Sequence, residues 1–262
     1  MTHLALSPLA RRNPTVKLVL LFVVSVVLMF VFDPVTPAVL YLVAAGAVLA
    51  TSAIGMKRFL LAHLPFVGFA IGLLLVNALS RPGEVLFSGA GLRITVEGLQ
   101  VGASLGLRSV LIGVLSIGFV VSTDGVRLMN SLHQHARLGA RPTYAIVAGY
   151  RMLQEMPREW RTIRQAHAVR APLRKNGQLP RGMGALGRAA FTLLIVSLRK
   201  GERMSQALES RGLGLTPRTV WRPVPLTWAD AAFAGGVLAV GAAVLLMSAR
   251  WGVLAGPEML FG

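Results

Sequence analysis

Five apolar runs, each close to the length of a bilayer crossing, constrain this chain more than any other feature. Residues 16–32 carry one charge, Lys17, at their edge. Residues 35–56 and 59–80 carry none, residues 99–123 carry Arg108, and residues 231–249 carry none. A spanning helix needs about 20 mostly apolar residues, with about 17–25 acceptable. The runs therefore predict five spans, the first of them short. No small-x-small cleavage pattern follows the first run at Phe30 to Pro34, and further spans follow, so it reads as a span and not as a removed leader. Two other stretches, 143–149 and 189–198, are too short to cross and read as buried helix segments. Composition agrees: 54% of the residues are hydrophobic and 14% charged, against about 25% charged in a soluble domain.

The formal charge is +17, and it is unevenly placed. Residues 124–228 hold 18 lysines and arginines against 5 acidic residues, a net of +13. Basic segments stay on the cytoplasmic side, most clearly where loops are short. Arg11, Arg12 and Lys17 precede the first span, and Lys57 and Arg58 separate the second from the third. These ends read as cytoplasmic. The turn at Asp33-Pro34 and the segment 81–98 read as external. The basic block then lies inside, and all five spans obey one topology.

The basic block reads as helical. A shorter helix is expected over 124–136, with Thr123 or Asp124 as its N-cap. A long pattern starts at Arg141-Pro142 and ends at Ala171-Pro172; Pro157 inside it should kink it or divide it. Residues 174–187 carry four glycines and Pro180 and read as a flexible connection. A second helix is expected from about Arg188 to Ser210, ending at Gly212, a common C-cap residue. The longest strand pattern is Leu92 to Val96.

The chain offers no catalytic machinery. Gly212 to Thr216 lacks the lysine of a Walker A loop, and no HExxH, EF-hand or GxSxG pattern occurs. There are no cysteines, which removes disulfides, thiolate metal sites and a cysteine nucleophile. His133 and His135 stand two apart on an expected helix and face different ways, which suits polar surface better than a metal site. His167 reads as interface or surface. No enzyme activity, cofactor or metal is expected, so energy for any active transport must come from another protein.

Two helix ends carry the most information. One reads Ala168-Val169-Arg170-Ala171; the other runs from Ala207 to Ser210-Arg211-Gly212. Each places an arginine among small residues at a helix end, 41 residues apart. Arginine presents a rigid, permanently charged fork of five donors that can hold carboxylates or helix C-terminal carbonyls, and a small neighbour lets a partner backbone approach. Arg199, Arg203, Ala207 and Arg211 are spaced by four on one helix face, and Arg161, Arg164 and Ala168 form a similar ridge. For most other cations in the block, solvated surface or contact with anionic lipid is the simpler reading.

These ends resemble the paired Ala-Arg-Gly motifs of the transmembrane coupling (T) subunit of energy-coupling factor transporters, the CbiQ-like family. Asn13 to Leu18 resembles that family's opening. Ile94 to Leu99, followed by Arg108, resembles its approach to the fourth span, and Ser122-Thr123-Asp124 its exit into the cytoplasm. The first motif departs from the family pattern as Val169-Arg170-Ala171, the second as Ser210-Arg211-Gly212. The resemblance implies an all-α membrane protein of about five transmembrane helices in a prokaryotic cell membrane. Residues 1–123 would form a membrane domain, 124–228 a cytoplasmic coupling domain, and 229–262 a fifth span with an external C-terminus. It also implies two ABC-type ATPase partners, each taking one arginine in a groove, and a small membrane protein that captures a vitamin or transition metal ion. A dedicated cobalt or nickel system is one variant. A membrane-anchored basic domain binding nucleic acid or anionic lipid is the alternative, although the block lacks the aromatic interleaving that stacks bases, and no nucleic-acid partner is expected.

Within the spans, Gly98, Gly102 and Gly106, and separately Gly68 and Gly72, form small-residue faces suited to close helix packing. Arg108 is an intramembrane cation. Any counter-charge within the chain would have to be Glu97 or Asp33, at the span edges.

Overall fold

The computed structural model describes residues 7–52, 54–89, 92–170, 182–215 and 222–252. Along the chain these form α1 (Pro8–Arg11), α2 (Pro14–Leu28), α3 (Val35–Thr51), α4 (Met56–Ser80), β1 (Val85–Gly89), β2 (Leu92–Thr95), α5 (Val96–Ser122), α6 (Gly125–His135), α7 (Ala140–Arg170), α8 (Met183–Ser210) and α9 (Trp228–Arg250). Among the described residues the fold is all-α apart from one antiparallel hairpin, β1–β2. The chain forms two compact units, Met1–Asp124 with Pro225–Gly262, and Gly125–Val224.

In the first unit α4, α5 and α9 are long and apolar enough to cross a membrane. α2 and α3, with 15 and 17 residues, are shorter than the runs that predicted them, about 22 and 25 Å at 1.5 Å per residue. For α2 the reason is local; α3 starts at Val35 as its run does and stops early at its other end, where Ser52 is the C-cap. The N–H groups of Met29, Phe30 and Val31 donate three residues back, to Val26, Val27 and Leu28, which tightens the end of α2 into a 3₁₀ turn. Pro34 then keeps Asp33 out of the helical region. Asp33 Oδ1 accepts the N–H of Thr36 at 2.6 Å, capping the start of α3.

α5 is the central helix of this unit, with buried residues from Gly98 to Ser122. A Cβ at Gly98 would sit 2.5 Å from the Asn77 carbonyl, one at Gly102 2.9 Å from the Leu74 backbone, and one at Gly106 3.1 Å from the Ala70 carbonyl. These glycines let α5 lie directly against α4. Gly68 and Gly72, read as an equivalent face, have nothing within 4 Å of a Cβ among the described residues. Val48, Phe59 and Val114 form a buried cluster joining α3, the start of α4 and α5. The β1–β2 hairpin precedes α5; sequence pattern had marked only its second strand.

Three elements tie the ends of the helices. Asn13 caps α2, its Oδ1 accepting the Thr15 N–H at 3.0 Å. Its own N–H donates to Asp230 Oδ1 at 2.8 Å, while Asp230 Oδ2 accepts from Thr227 N and Oγ1 in the capping box of α9. One carboxylate thus joins the starts of α2 and α9. Lys17, expected to precede the first span, lies inside α2 and is buried. Its ammonium donates to Leu9 O at 3.2 Å and to Ser122 O and Oγ at 2.9 and 3.0 Å. Thr95 caps α5 through the Gly98 N–H at 3.2 Å, and Glu97 Oε2 accepts the Glu84 N–H at 2.8 Å. The segments that carried the family resemblance at Asn13 to Leu18 and Ile94 to Leu99 are therefore helix starts held by specific side chains.

In the second unit α6 covers the expected short helix, but the Thr123 hydroxyl, proposed as a cap, is buried without a hydrogen-bond partner among the described residues. α7 runs unbroken through Pro157. One proline removes one i→i−4 bond, and the helix continues for more than three turns on either side. α8 starts at Met183, five residues before the expected Arg188, and takes in Gly184 and Gly187. Each glycine costs about 1 kcal/mol relative to alanine, too little to melt a turn that also holds Ala185 and Leu186. The stretches 143–149 and 189–198 are not buried throughout. Thr143 and Ala189 are, but Ile146, Phe191, Leu194 and Leu198 are exposed.

Candidate functional site

The second unit places the two arginine motifs on an antiparallel pair, α7 and α8. His167 Nε2 meets Thr192 Oγ1 at 3.0 Å, and Ser197 Oγ meets the Met156 sulfur at 4.0 Å. Lys200 bonds to Glu159 and lies 3.6 Å from Glu155. The hydrogen bond to Glu159 holds the Lys200 ammonium above the ordinary lysine range. Because the rungs run in opposite directions along the two helices, the motifs lie at opposite ends of the pair. Arg170 is three residues beyond His167 and Arg211 nineteen beyond Thr192, which together is about 33 Å of helix at 1.5 Å per residue.

Arg170 is the last residue of α7 and is exposed, with Val169 88% exposed beside it and Ala168 half-buried. Ala171 lies outside the described residues. At the other end Arg211 is the C-cap of α8. Gly212 follows at φ +78°. Its N–H donates to Glu209 O at 2.9 Å, and the Leu213 N–H donates to Leu208 O at 3.0 Å. This pair of bonds is a Schellman motif, which needs a left-handed residue after the C-cap. The glycine of the second motif therefore has a backbone duty of its own: it stops α8 immediately after its arginine. Ser210 Oγ donates to Ala207 O at 3.1 Å within the last turn.

Ala207 and Arg211 also line a cleft of about 930 Å³ between α8 and the α6–α7 side of this unit, together with Arg203. Arg203, Ala207 and Arg211, read as part of one helix face, all line this cleft; Arg199, one turn earlier, does not. Sequence reading did not single out the other cations of this cleft, Arg151, Lys200 and Arg222. Arg222 is brought there by Gln134, whose amide donates to Arg222 O at 3.2 Å and accepts the Val224 N–H at 2.9 Å; no local pattern announces that contact. His133 and His135 are engaged in backbone contacts. His133 Nδ1 is 2.6 Å from Leu138 O, and His135 Nε2 is 2.8 Å from Val224 O.

Arg108 belongs to the first unit and has a different environment. It lies twelve residues into α5, about 18 Å along the helix. It pairs with neither Glu97 nor Asp33 among the described residues. Its guanidinium donates to the carbonyl of Val31 and stands 5.1 Å from the centroid of the Phe32 ring. One turn earlier, Ser104 Oγ donates to Asp33 O at 3.0 Å. The Ser104–Arg108 face of α5 therefore satisfies the carbonyls of the α2–α3 link. Irregular backbone at membrane depth persists only where protein or water supplies such bonds.

Comparison with known proteins adds two findings. The model of the family described as CbiQ, cobalt transport protein, matches residues 6–221. The energy-coupling factor transporter transmembrane protein EcfT of Thermosediminibacter oceani is 28% identical over 248 residues, 90% of this chain and 92% of that protein. The protein of the same name from Heliobacterium modesticaldum is 26% identical over 234 residues, 86% of this chain and 87% of its own length.

Proposed function

Because this chain belongs to the cobalt transport protein family CbiQ, we propose that it is the transmembrane coupling subunit of an energy-coupling factor importer, passing ATP-driven motion to a membrane protein that captures the solute. The relatives named as energy-coupling factor transporter transmembrane proteins share nearly the whole chain. The observation that carries the mechanism is the placing of Arg170 and Arg211 at opposite ends of one antiparallel helix pair. Two ATPase subunits that approach each other on binding ATP offer two grooves, and each takes one arginine.

The arginine fork meets carboxylates or helix C-terminal carbonyls in the groove. Ala168, Val169 and Ala171 at one end, and Ala207, Ser210 and Gly212 at the other, leave room for the groove walls. The pinned pair α7–α8 then moves as a lever. Its exposed apolar residues Phe191, Leu194 and Leu198 supply a surface for the solute-capturing membrane subunit, since an apolar patch in so basic a domain calls for cover. The chain contributes no catalytic group and uses no cofactor; ATP is hydrolysed by its partners. The bilayer surrounds the first unit, in a prokaryotic cell membrane, with the N-terminus and the Gly125–Val224 unit on the cytoplasmic side. The solute is a vitamin or a transition metal ion.

Mass spectrometry of complexes purified through this chain in nanodiscs tests the reading. Two ATPase subunits and one small membrane protein are expected. Recovery of this chain without an ATPase, from cells with active uptake, would reject it.

A further inference from the structure

Besides Ala207 and Arg211, the cleft of the second unit has features the coupling reading does not use. Its lining carries Arg151 on α7, Arg203 and Arg211 on α8, and Arg222 on the segment leading to α9. Lys200 is already engaged by Glu155 and Glu159, and Glu155 is the acidic residue of the lining. Among the described residues none of the four arginines is in an ion pair. The same lining carries apolar side chains, Val147 and Met152, both half-buried, and Met204, which is 38% exposed. A cavity of about 930 Å³ lined by both guanidinium groups and apolar side chains suits a molecule that is anionic at one end and apolar at the other.

The walls are positioned, not loose. Gln134 holds the backbone on both sides of Pro223, which fixes Arg222 against α6. The Tyr144 ring packs edge-on to His133 at 6.0 Å between centroids. Connectivity supplies the source of such an amphiphile. Val126, in the lining, is four residues past the end of α5, and Arg222 is six residues before α9. Both α5 and α9 are long and apolar enough to cross a membrane, so the segment that carries the cleft is continuous in sequence with a candidate span at each end.

We infer that this cleft is a binding site for an anionic phospholipid, its headgroup phosphate held by Arg151, Arg203 and Arg222 and the start of its acyl chains against Met152 and Met204. Arginine binds phosphate through two parallel N–H bonds, and basic pockets at the cytoplasmic leaflet recruit acidic lipids. The inference does not depend on the ATPase reading, because it leaves Arg170 aside and its test leaves Arg211 unchanged.

The test is native mass spectrometry of the full chain released from nanodiscs of phosphatidylcholine with one-fifth phosphatidylglycerol, an arbitrary but fixed composition. Wild type should retain one phosphatidylglycerol after exchange into detergent. The triple variant Arg151→Gln, Arg203→Gln, Arg222→Gln should retain it at least about tenfold less. A control triple with the same loss of charge outside the cleft, Arg158→Gln, Arg188→Gln, Arg199→Gln, should behave as wild type. Millimolar inorganic phosphate should leave the bound lipid in place; displacement by phosphate alone would mean an ordinary anion site and overturn the inference. Equal losses in the two triples would overturn it too, reducing the effect to net charge. If the cleft triple does not fold, a photoreactive phosphatidylglycerol is cross-linked to the wild type. Labelled peptides containing Met152 or Met204 would support the site. Labels elsewhere, or protection of those peptides by a co-purified acidic protein segment, would reject it.

Discussion

Lys17 reaches across 105 positions of sequence to place its ammonium on both the carbonyl and the hydroxyl of Ser122, the last residue of α5. A cation at a helix C-terminus meets unsatisfied carbonyls and the negative end of the helix dipole. Here the contact is buried and fastens the start of α2 to the end of the central helix. Lys17→Met should leave the Ser122 carbonyl without this donor, at a cost of about 1–3 kcal/mol. A fall of several degrees in the unfolding temperature in detergent is expected. Lys17→Arg should recover part of it. An unchanged temperature for Lys17→Met would show that water replaces the ammonium at no loss.

The two glycine faces, alike in spacing, should respond oppositely to substitution. Gly102→Leu would drive a side chain into the Leu74 backbone, where even a Cβ lies 2.9 Å away, and should abolish stable expression. Gly72→Leu enters open space and should leave the protein folded. If Gly72 faces the solute-capturing partner, uptake falls while expression holds. Normal uptake with Gly72→Leu assigns that face to lipid.

Much of the fold was legible because apolar length is nearly sufficient to mark a membrane helix. Lys17 shows where legibility stopped. Counted as a flanking cation, it proved to be a buried cap, since its partner Ser122 is distant in sequence. The α2–α3 link was misjudged for a local reason, the effect of Pro34 on Asp33 and the tightening before it. The Thr227-x-x-Asp230 pattern at the start of α9 is a readable capping box that sequence analysis passed over. Of the candidate site, the stop at Gly212 was legible from glycine's preference for the left-handed region. Arg151 and Arg222 were not, since only the tertiary contacts of Gln134 and the packing of α8 bring them to one cleft.

Orientation is tested by labelling single cysteines, against a background with none. Ser88→Cys on β1 should react with an impermeant maleimide on intact cells. Gly201→Cys on α8, where a Cβ meets nothing within 4 Å, should react only after permeabilisation. The basis is the net +13 between residues 124 and 228 and the retention of basic segments inside. The reverse pattern would place the arginine helices away from ATP and end the coupling reading.

Arg108 should prove a support for the α2–α3 link. Arg108→Ala removes a charged donor from the Val31 carbonyl and a cation from the Phe32 face, together worth about 2–4 kcal/mol. Arg108→Lys should restore part of the stability. If stability returns with lysine while uptake stays lost, the guanidinium also serves a partner's carboxylate, and the structural account is incomplete.

The decisive prediction concerns Arg170 and Arg211. Each sits at its own end of the α7–α8 pair, and neither makes an ion pair among the described residues, so both are available to partners. Arg170→Ala and Arg211→Ala should each weaken coupling, and the double variant should abolish uptake. Truncating one member of a buried charge pair costs about 2–5 kcal/mol, in part because the other charge is left unpaired; that is about thirtyfold to several thousandfold in affinity. One remaining arginine still holds one ATPase, so the single variants should keep reduced transport. Lysine should substitute poorly, because its point charge lacks the planar fork. Arg158→Ala, an exposed cation on α7 outside both motifs, should be close to silent. Uptake in cells, ATPase activity and subunit retention in the purified complex are measured together. Lost uptake with ATP binding intact would locate the defect in the coupling step. Normal uptake in the double variant, at unchanged protein level, would reduce both arginines to solvated surface.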